Sequence, residues 1–175
     1  HRGFPLPLVD IKNNTKFMGK SCVLVDVQAD LWDGDPDIDA IQRIMWKPCV
    51  KFTVEDPYMS PNISPFNSQN TFLSRRCFPD YFLFPFIGRM DDIFASYYLQ
   101  SKNPNYNVIY NKASVYQARN EHDLNVDMRK EYIGYEYALQ FIKRLEESGG
   151  DIESVKNILP EKTIEAFKIY KQYFI

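Results

Sequence analysis

The order of apolar and polar residues in the first half of the chain predicts short strands and loops around one helix. The β-branched run at residues 22–27 predicts a strand. The acidic segment at residues 33–37 predicts a loop that leads into a helix from residue 38 to about residue 45, with Asp37 as its N-cap. Several prolines within residues 46–80 predict loop with short strands.

The second half of the chain predicts more helix. A helix is expected to begin at Asp91 or Asp92, and residues 108–110 and 114–116 are two strand candidates. Two amphipathic helices are expected in the last third, one ended by residues 148–150 and one begun after Pro160. The apolar positions at helical spacing that support the three helices are Phe94, Tyr97 and Tyr98, then Tyr135, Leu139, Ile142 and Leu145, then Ile164, Phe167, Tyr170 and Phe174. The pattern predicts an α/β fold with a helical C-terminus.

Composition narrows the class of protein. With 45% hydrophobic and 25% charged residues in 175, the chain is of ordinary globular type and can form one domain or part of one. A net charge of −2 and the lack of a basic run argue against nucleic acid as a partner. No apolar stretch reaches the roughly 18 residues that span a bilayer, so no transmembrane segment is expected. The aromatic share of 15% fits either sugar stacking or a large aromatic core.

The acidic segment 33–39 has aspartates at alternate positions. Asp33-Gly34-Asp35 and Asp35-Pro36-Asp37 match the Asp-x-Asp pattern that holds a metal–diphosphate in GT-A glycosyltransferases. The alternative is a helix N-terminus enriched in aspartate because the helix dipole favours negative charge there.

Adjacent carboxylates at the predicted helix start, Asp91 and Asp92, follow Arg89 closely. One of them could accept a proton from an attacking hydroxyl while the other holds sugar hydroxyls or the arginine. Arg89 could pair with phosphate through its fork of donors. The alternative is a capped helix with a surface Arg–Asp pair that contributes little.

Polar side chains also cluster in residues 65–71. Asn67, Gln69 and Asn70 offer the paired donors and acceptors that read sugar hydroxyls, although the same residues also favour turns. His122 is the only histidine besides His1. It could complete a metal site with an upstream Asp-x-Asp, or be a surface or hydrogen-bonded structural residue.

Several of these segments together resemble a known family. Residues 2–6, 32–40 and 87–95 resemble the reversibly glycosylated polypeptides, which are UDP-arabinopyranose mutases. The similarity is closer to the STELLO-type glycosyltransferase-like proteins, through residues 31–41, 65–71 and 117–124. The likeness runs from residue 2 to about residue 135.

The resemblance implies a GT-A-like fold, a UDP-sugar donor, a glycan acceptor, and Mn²⁺ or Mg²⁺. Residues 1–125 would be the acceptor-side, C-terminal portion of that fold and residues 126–175 its C-terminal helices. The family's donor-metal Asp-x-Asp precedes the segment that matches residues 2–5, so the nucleotide-binding half is expected upstream of this chain. The acidic segment 33–39 then becomes a structural or acceptor-side feature.

The resemblance and the motifs together give a set of candidate site residues. Asp92, and after it Asp91, is the expected general base, and His122 is a possible ligand of metal or phosphate. The expected substrate-binding residues are Arg89, Asn67, Gln69, Asn70, Trp32, Asp35, Arg119 and Arg2.

Sugar transfer is preferred over mutase chemistry. In the mutases the arginine that matches Arg2 carries the sugar, and a second arginine follows seven positions later, where this chain has Val9. A UDP-sugar mutase therefore stays an alternative, as does a glycan-binding or scaffolding module without catalysis. The compartment is left open between Golgi lumen and cytoplasm, with a membrane anchor possible upstream.

Overall fold

A four-stranded mixed sheet organises the first two thirds of the chain. The computed structural model describes residues 2–8, 19–53, 56–60 and 62–174, so Val9 lies outside the described residues. The strands are β1 (Val27–Gly34), β2 (Tyr58–Met59), β3 (Thr71–Leu73) and β4 (Val108–Gln117), in the order β2-β4-β1-β3. The central strands β1 and β4 are parallel, and the edge strands β2 and β3 run antiparallel to their neighbours. The predicted α/β class is confirmed.

Both central strands differ from their predicted bounds. Strand β1 begins where the predicted strand ends, because pairing starts at Val27 opposite Val108 and the preceding Leu24 is exposed. It also continues through Gly34, which the sequence placed in a loop, because Gly34 exchanges two backbone hydrogen bonds with Val50. The two strand candidates at residues 108–110 and 114–116 are one continuous strand.

Four α-helices accompany the sheet within the described residues. They are α1 (Ala40–Met45), α2 (Asp91–Lys102), α3 (Leu124–Glu147) and α4 (Glu161–Lys171). The expected start of α2, the end of α3 at residues 148–150 and the start of α4 after Pro160 are confirmed. The prediction of Asp37 as the N-cap of α1 is wrong. Asp39 caps that helix by accepting from the Gln42 N–H at 3.0 Å, which leaves Asp37 for other partners.

Helix α2 lies between the sheet and the C-terminal helices. Leu99 packs with residues of β1 and β4, whereas Phe94 packs with Phe141 of α3 and Tyr98 with Phe167 of α4. Every residue from 92 to 101 is buried, so the single apolar face predicted for this helix is too narrow. Among the described residues, no helix is both long and apolar enough to cross a bilayer.

A glycine sets how closely α2 approaches α3. Gly88 begins the 3₁₀ turn that leads into α2, with a φ of +69°, and a Cβ there would lie 2.4 Å from the backbone oxygen of Lys130. No side chain fits at that distance, so this glycine fixes the position of Arg89 and the start of α2.

We expect Gly88→Ala to destabilise the fold more than Gly149→Ala. Both glycines have nearly the same positive φ, but a Cβ at Gly149 would meet nothing within 4 Å. The backbone strain of roughly 1–2 kcal/mol is therefore common to both variants, and the steric overlap adds about 1–3 kcal/mol at Gly88 alone. Chemical denaturation of both variants measures the difference in their free energies of unfolding. Equal losses of stability would contradict the close contact between Gly88 and the Lys130 backbone.

Candidate functional site

The guanidinium of Arg2 is buried between two carboxylates. Its Nε lies 3.2 and 3.1 Å from the two oxygens of Asp37, and its Nη2 lies 3.1 and 3.2 Å from those of Asp92. Its Nη1 donates to the carbonyl of Arg89, and its backbone N–H donates to that of Asp37 at 2.9 Å. Arg2 therefore joins the N-terminal segment, the loop before α1 and the start of α2.

Both carboxylates have further partners. Asp37 accepts from the Asn67 amide at 2.9 Å and from Arg119 Nη2 at 3.2 Å. Asp92 Oδ2 accepts from the Ser68 backbone N–H at 3.0 Å. Burial alone would raise the pKa of Asp37, but the charges of Arg2 and Arg119 hold that pKa below its ordinary value. The loop that carries Asn67 and Ser68 is thus fixed by the same ion pairs.

A second group of charges surrounds Arg89. Its Nε donates to Glu131 Oε1 at 2.9 Å, and its Nη1 lies 3.1 Å from Asp127 Oδ2. Glu131 is fully buried, and its other oxygen accepts from the Ala40 N–H at 2.8 Å and the Tyr135 hydroxyl at 2.5 Å. These contacts fix α3 to α1. We call Arg2, Asp37, Arg89, Asp92, Arg119 and Glu131 the Arg2 network.

A groove of mixed polar and apolar lining lies beside this network, since Gln69 follows Ser68 and Ala118 precedes Arg119 in the chain. Its volume is about 280 Å³. Asn70 is held in its wall by donating to the Ser114 hydroxyl at 2.9 Å. Tyr116 is 71% exposed, and its ring lies so close to Gly34 that a Cβ there would be 2.9 Å away. The groove thus combines an exposed aromatic ring with amide side chains, and its lining residues are Trp32, Gln69, Asn70, Val115, Tyr116, Gln117 and Ala118.

A second cavity borders the same tryptophan. It measures about 270 Å³ and is mainly apolar. Trp32 borders both spaces. The other residues that line this apolar cavity are Leu31, Pro36, Asp37, Ile38, Gln42, Trp46, Val50 and Phe52.

The candidate site residues fall into two main groups. Trp32, Gln69 and Asn70 line the groove. The Arg2 network contains Arg2, Arg89, Asp92 and Arg119, with Asn67 bonded to it. Asp35 belongs to neither group, since it pairs with Arg43 at 2.6 Å.

The two neighbouring carboxylates at the start of α2 are in different states. Asp92 is buried, and both of its oxygens accept hydrogen bonds from Arg2. Asp91 is partly exposed, and one of its oxygens accepts from the Asp92 N–H at 2.9 Å. Burial raises the pKa of Asp91, and the charge of Asp92 adds to that rise. Neither carboxylate is among the residues that line the groove.

The surroundings of His122 do not fit a metal ion. Its Nδ1 lies 2.9 Å from Asp127 Oδ2 and 3.3 Å from Arg89 Nη1. The carboxylate is therefore shared with a cation that would repel a metal. In the part of the chain that the structure describes, no three His, Cys, Asp or Glu side chains converge on one point.

Sequence reasoning missed several residues of the site. The acidic segment predicts Asp37 as a helix N-cap, whereas its side chain bonds to Arg2, Asn67 and Arg119. Asp127 and Glu131 stand four residues apart, a spacing that puts two carboxylates on one helix face and could have been noticed. Gln117 begins the segment 117–124 that carries the resemblance, whereas no local signal points to Tyr116, whose exposure depends on how β4 pairs with β1.

No model of a known protein family matches the chain, and no curated protein matches it. The resemblance to STELLO-type proteins therefore stays a hypothesis that rests on the motifs themselves.

We expect Arg2→Gln to destabilise the fold by about 3–5 kcal/mol, because it leaves two buried carboxylates without their shared partner. Lys20→Gln is the matched control, since the Lys20–Asp56 pair has side chains that are 78% and 76% exposed. An exposed pair contributes little, so this control should leave the unfolding midpoint in urea unchanged. Similar unfolding midpoints for Arg2→Gln and wild type would contradict the proposed contribution of the Arg2 network to stability.

Proposed function

We propose that this chain is the acceptor-binding side of a GT-A-type glycosyltransferase, which transfers a sugar from a UDP-sugar to a hydroxyl of a glycan. The observation that carries the proposal is the groove beside the Arg2 network. It brings Trp32, Gln69 and Asn70, the residues expected to contact sugar, together with the exposed ring of Tyr116.

The groove has the side chains that carbohydrate recognition needs. An exposed aromatic ring offers an apolar face on which the C–H face of a sugar can stack. Amide groups such as Gln69 and Gln117 donate and accept at once, which suits vicinal sugar hydroxyls. The Asn70 amide already donates to the Ser114 hydroxyl, so this residue shapes the wall of the groove and is less available to bond a sugar.

In this proposal the Arg2 network positions the site and does not react. Arg2, Arg89 and Asp92 hold the start of α2 against the loop that carries Ser68, next to Gln69 of the groove. Asp92 would have to break its bonds with Arg2 to accept a proton. Asp91 has one oxygen engaged by a backbone N–H and a raised pKa, as suits a general base. We therefore rank Asp91 before Asp92 as the base, the reverse of the order expected from sequence.

In the full-length protein we expect Asp91→Asn to affect activity and Asp92→Asn to affect stability. Asp91→Asn should lower sugar transfer ~10²–10⁴-fold with little change in stability, because the amide oxygen can still accept from the Asp92 N–H. Asp92→Asn should instead destabilise the fold, because it removes a charge from a buried ion pair. Transfer assays with radiolabelled UDP-sugars, together with urea denaturation, separate the two effects. Turnover of Asp91→Asn within a few-fold of wild type would remove Asp91 from the mechanism.

A glycan-binding module without catalysis is the second candidate function. It is favoured by the finding that neither Asp91 nor Asp92 lines the groove. Calorimetry of the full-length protein with UDP-sugars and Mn²⁺ distinguishes the two candidates. Glycan binding without heat from any UDP-sugar would support the module, whereas donor binding would support the transferase.

The burial of Arg2 disfavours mutase chemistry. To carry a sugar, its guanidinium would have to leave both Asp37 and Asp92, and the Arg2 side chain is only 6% exposed. We therefore do not propose self-glycosylation at this residue.

We expect Tyr116→Ala to weaken glycan binding roughly tenfold, the effect of losing about 1.4 kcal/mol. Tyr173→Ala is the control, because Tyr173 is 81% exposed but is not among the groove residues. Isothermal titration with oligosaccharides, or a glycan array on both variants, measures the change. Equal affinities for the two variants would show that the Tyr116 ring does not take part in binding.

A further inference from the structure

The apolar cavity beside Trp32 has no role in the function proposed so far. Its polar lining is small: Asp37 has its oxygens engaged by Arg2, Arg119 and Asn67, which leaves Gln42 as the other polar side chain. A concave apolar space of this kind favours a hydrocarbon or aromatic group over a sugar.

One exposed apolar side chain, that of Trp46, stands at the border of this cavity. Trp46 lines it and is 53% exposed, and the preceding Ile44 and Met45 are 55% and 78% exposed. Lys47, the next residue, is exposed as well. An exposed indole at the mouth of an apolar space is suited to contact with the apolar part of an amphiphile.

The position of the cavity relative to the groove limits what can occupy it. Trp32 borders both, so one ligand could have a polar part on one side of this residue and an apolar part on the other. A second protein molecule would be expected to cover a broad flat surface, whereas this space is a small concave cavity of about 270 Å³.

We propose that the apolar cavity binds the hydrocarbon part of a glycolipid acceptor whose sugar lies in the groove. This inference rests on the proposed function, because it takes the groove as the site of the acceptor sugar. It adds the substrate class: a glycan attached to an apolar chain, with the glycosidic linkage near Trp32.

The chain carries its own reporters for this proposal. Its two tryptophans are Trp32 and Trp46, so a nitrogen-correlated NMR spectrum of the indole N–H groups contains one signal from each. Trp32 borders both spaces, whereas Trp46 lines the cavity alone. The variant Trp46→Phe assigns the two signals.

The experiment compares matched methyl and octyl glycosides of glucose, galactose, mannose, xylose and arabinose, below micelle concentration, with 1-octanol as a further control. Methyl glycosides that bind should shift the Trp32 signal and the amides of Gln69 and Gln117, but not the Trp46 signal. The octyl counterparts should shift the Trp46 signal too and bind at least tenfold more tightly.

Other outcomes overturn one claim or the other. Equal affinity of methyl and octyl glycosides, with no change in the Trp46 signal, would contradict the glycolipid inference but not the proposed function. If 1-octanol binds as tightly as the octyl glycosides, the inference is also contradicted, because the sugar then contributes nothing to the affinity. A Trp46 signal that changes with protein concentration alone assigns this surface to a second copy of the chain. If no glycoside shifts the signals of Trp32, Gln69 or Gln117, the proposed function itself is contradicted.

Variants that fill the cavity supply a second test. Val50→Phe should abolish the octyl advantage while methyl glycosides still bind, and Gln42→Phe should do the same from another wall of the cavity. Ile169→Phe, at an exposed position on α4, is the control and should keep the full advantage. An octyl advantage that survives both cavity-filling variants would contradict the proposal.

Discussion

The ion pairs of Arg2 with Asp37 and Asp92 are the interaction on which the rest of the site depends. A buried charge is costly unless it is paired, so each of these groups holds the others in place. Five parts of the chain meet there: the N-terminal segment, the loop before α1, the loop that carries Asn67 and Ser68, the start of α2, and the segment after β4 that carries Arg119.

The N-terminal segment has a second attachment to α2. The Tyr97 hydroxyl donates to the Gly3 carbonyl at 2.7 Å, and Gly3 packs against Ile93, where a Cβ would lie 2.3 Å from the nearest side-chain carbon. The backbone at residues 2–3 is therefore held closely against α2, and this fixes the position of the Arg2 side chain. This explains why a charge at the second residue can organise groups that follow it by up to ninety positions.

The sequence was informative where local signals and burial agree. The starts of α2 and α4 and the end of α3 were predictable because acidic residues, proline and glycine mark helix ends directly. The bounds of β1 were not, because pairing with β4 and Val50 decides where that strand begins and ends, and these partners are distant in sequence. For the same reason Asp37 was misassigned: its arginine partners lie 35 and 82 residues away. The motifs pointed to Trp32, Gln69 and Asn70 as candidates, and these three line one groove, whereas the exposure of Tyr116 follows only from the assembled sheet.

Gly34 gives one position unusual control over the width of the groove. The Tyr116 ring rests against bare backbone there, and the φ of +91° at Gly34 disfavours any side chain. A single added methyl group would lie 2.5 Å from the Gln117 backbone oxygen and 2.9 Å from the Tyr116 ring, so it would disturb the pairing of β1 with β4 as well as the ring. The shape of this groove is thus set in part by a residue that has no side chain of its own, and the close approach of the two central strands depends on its staying bare.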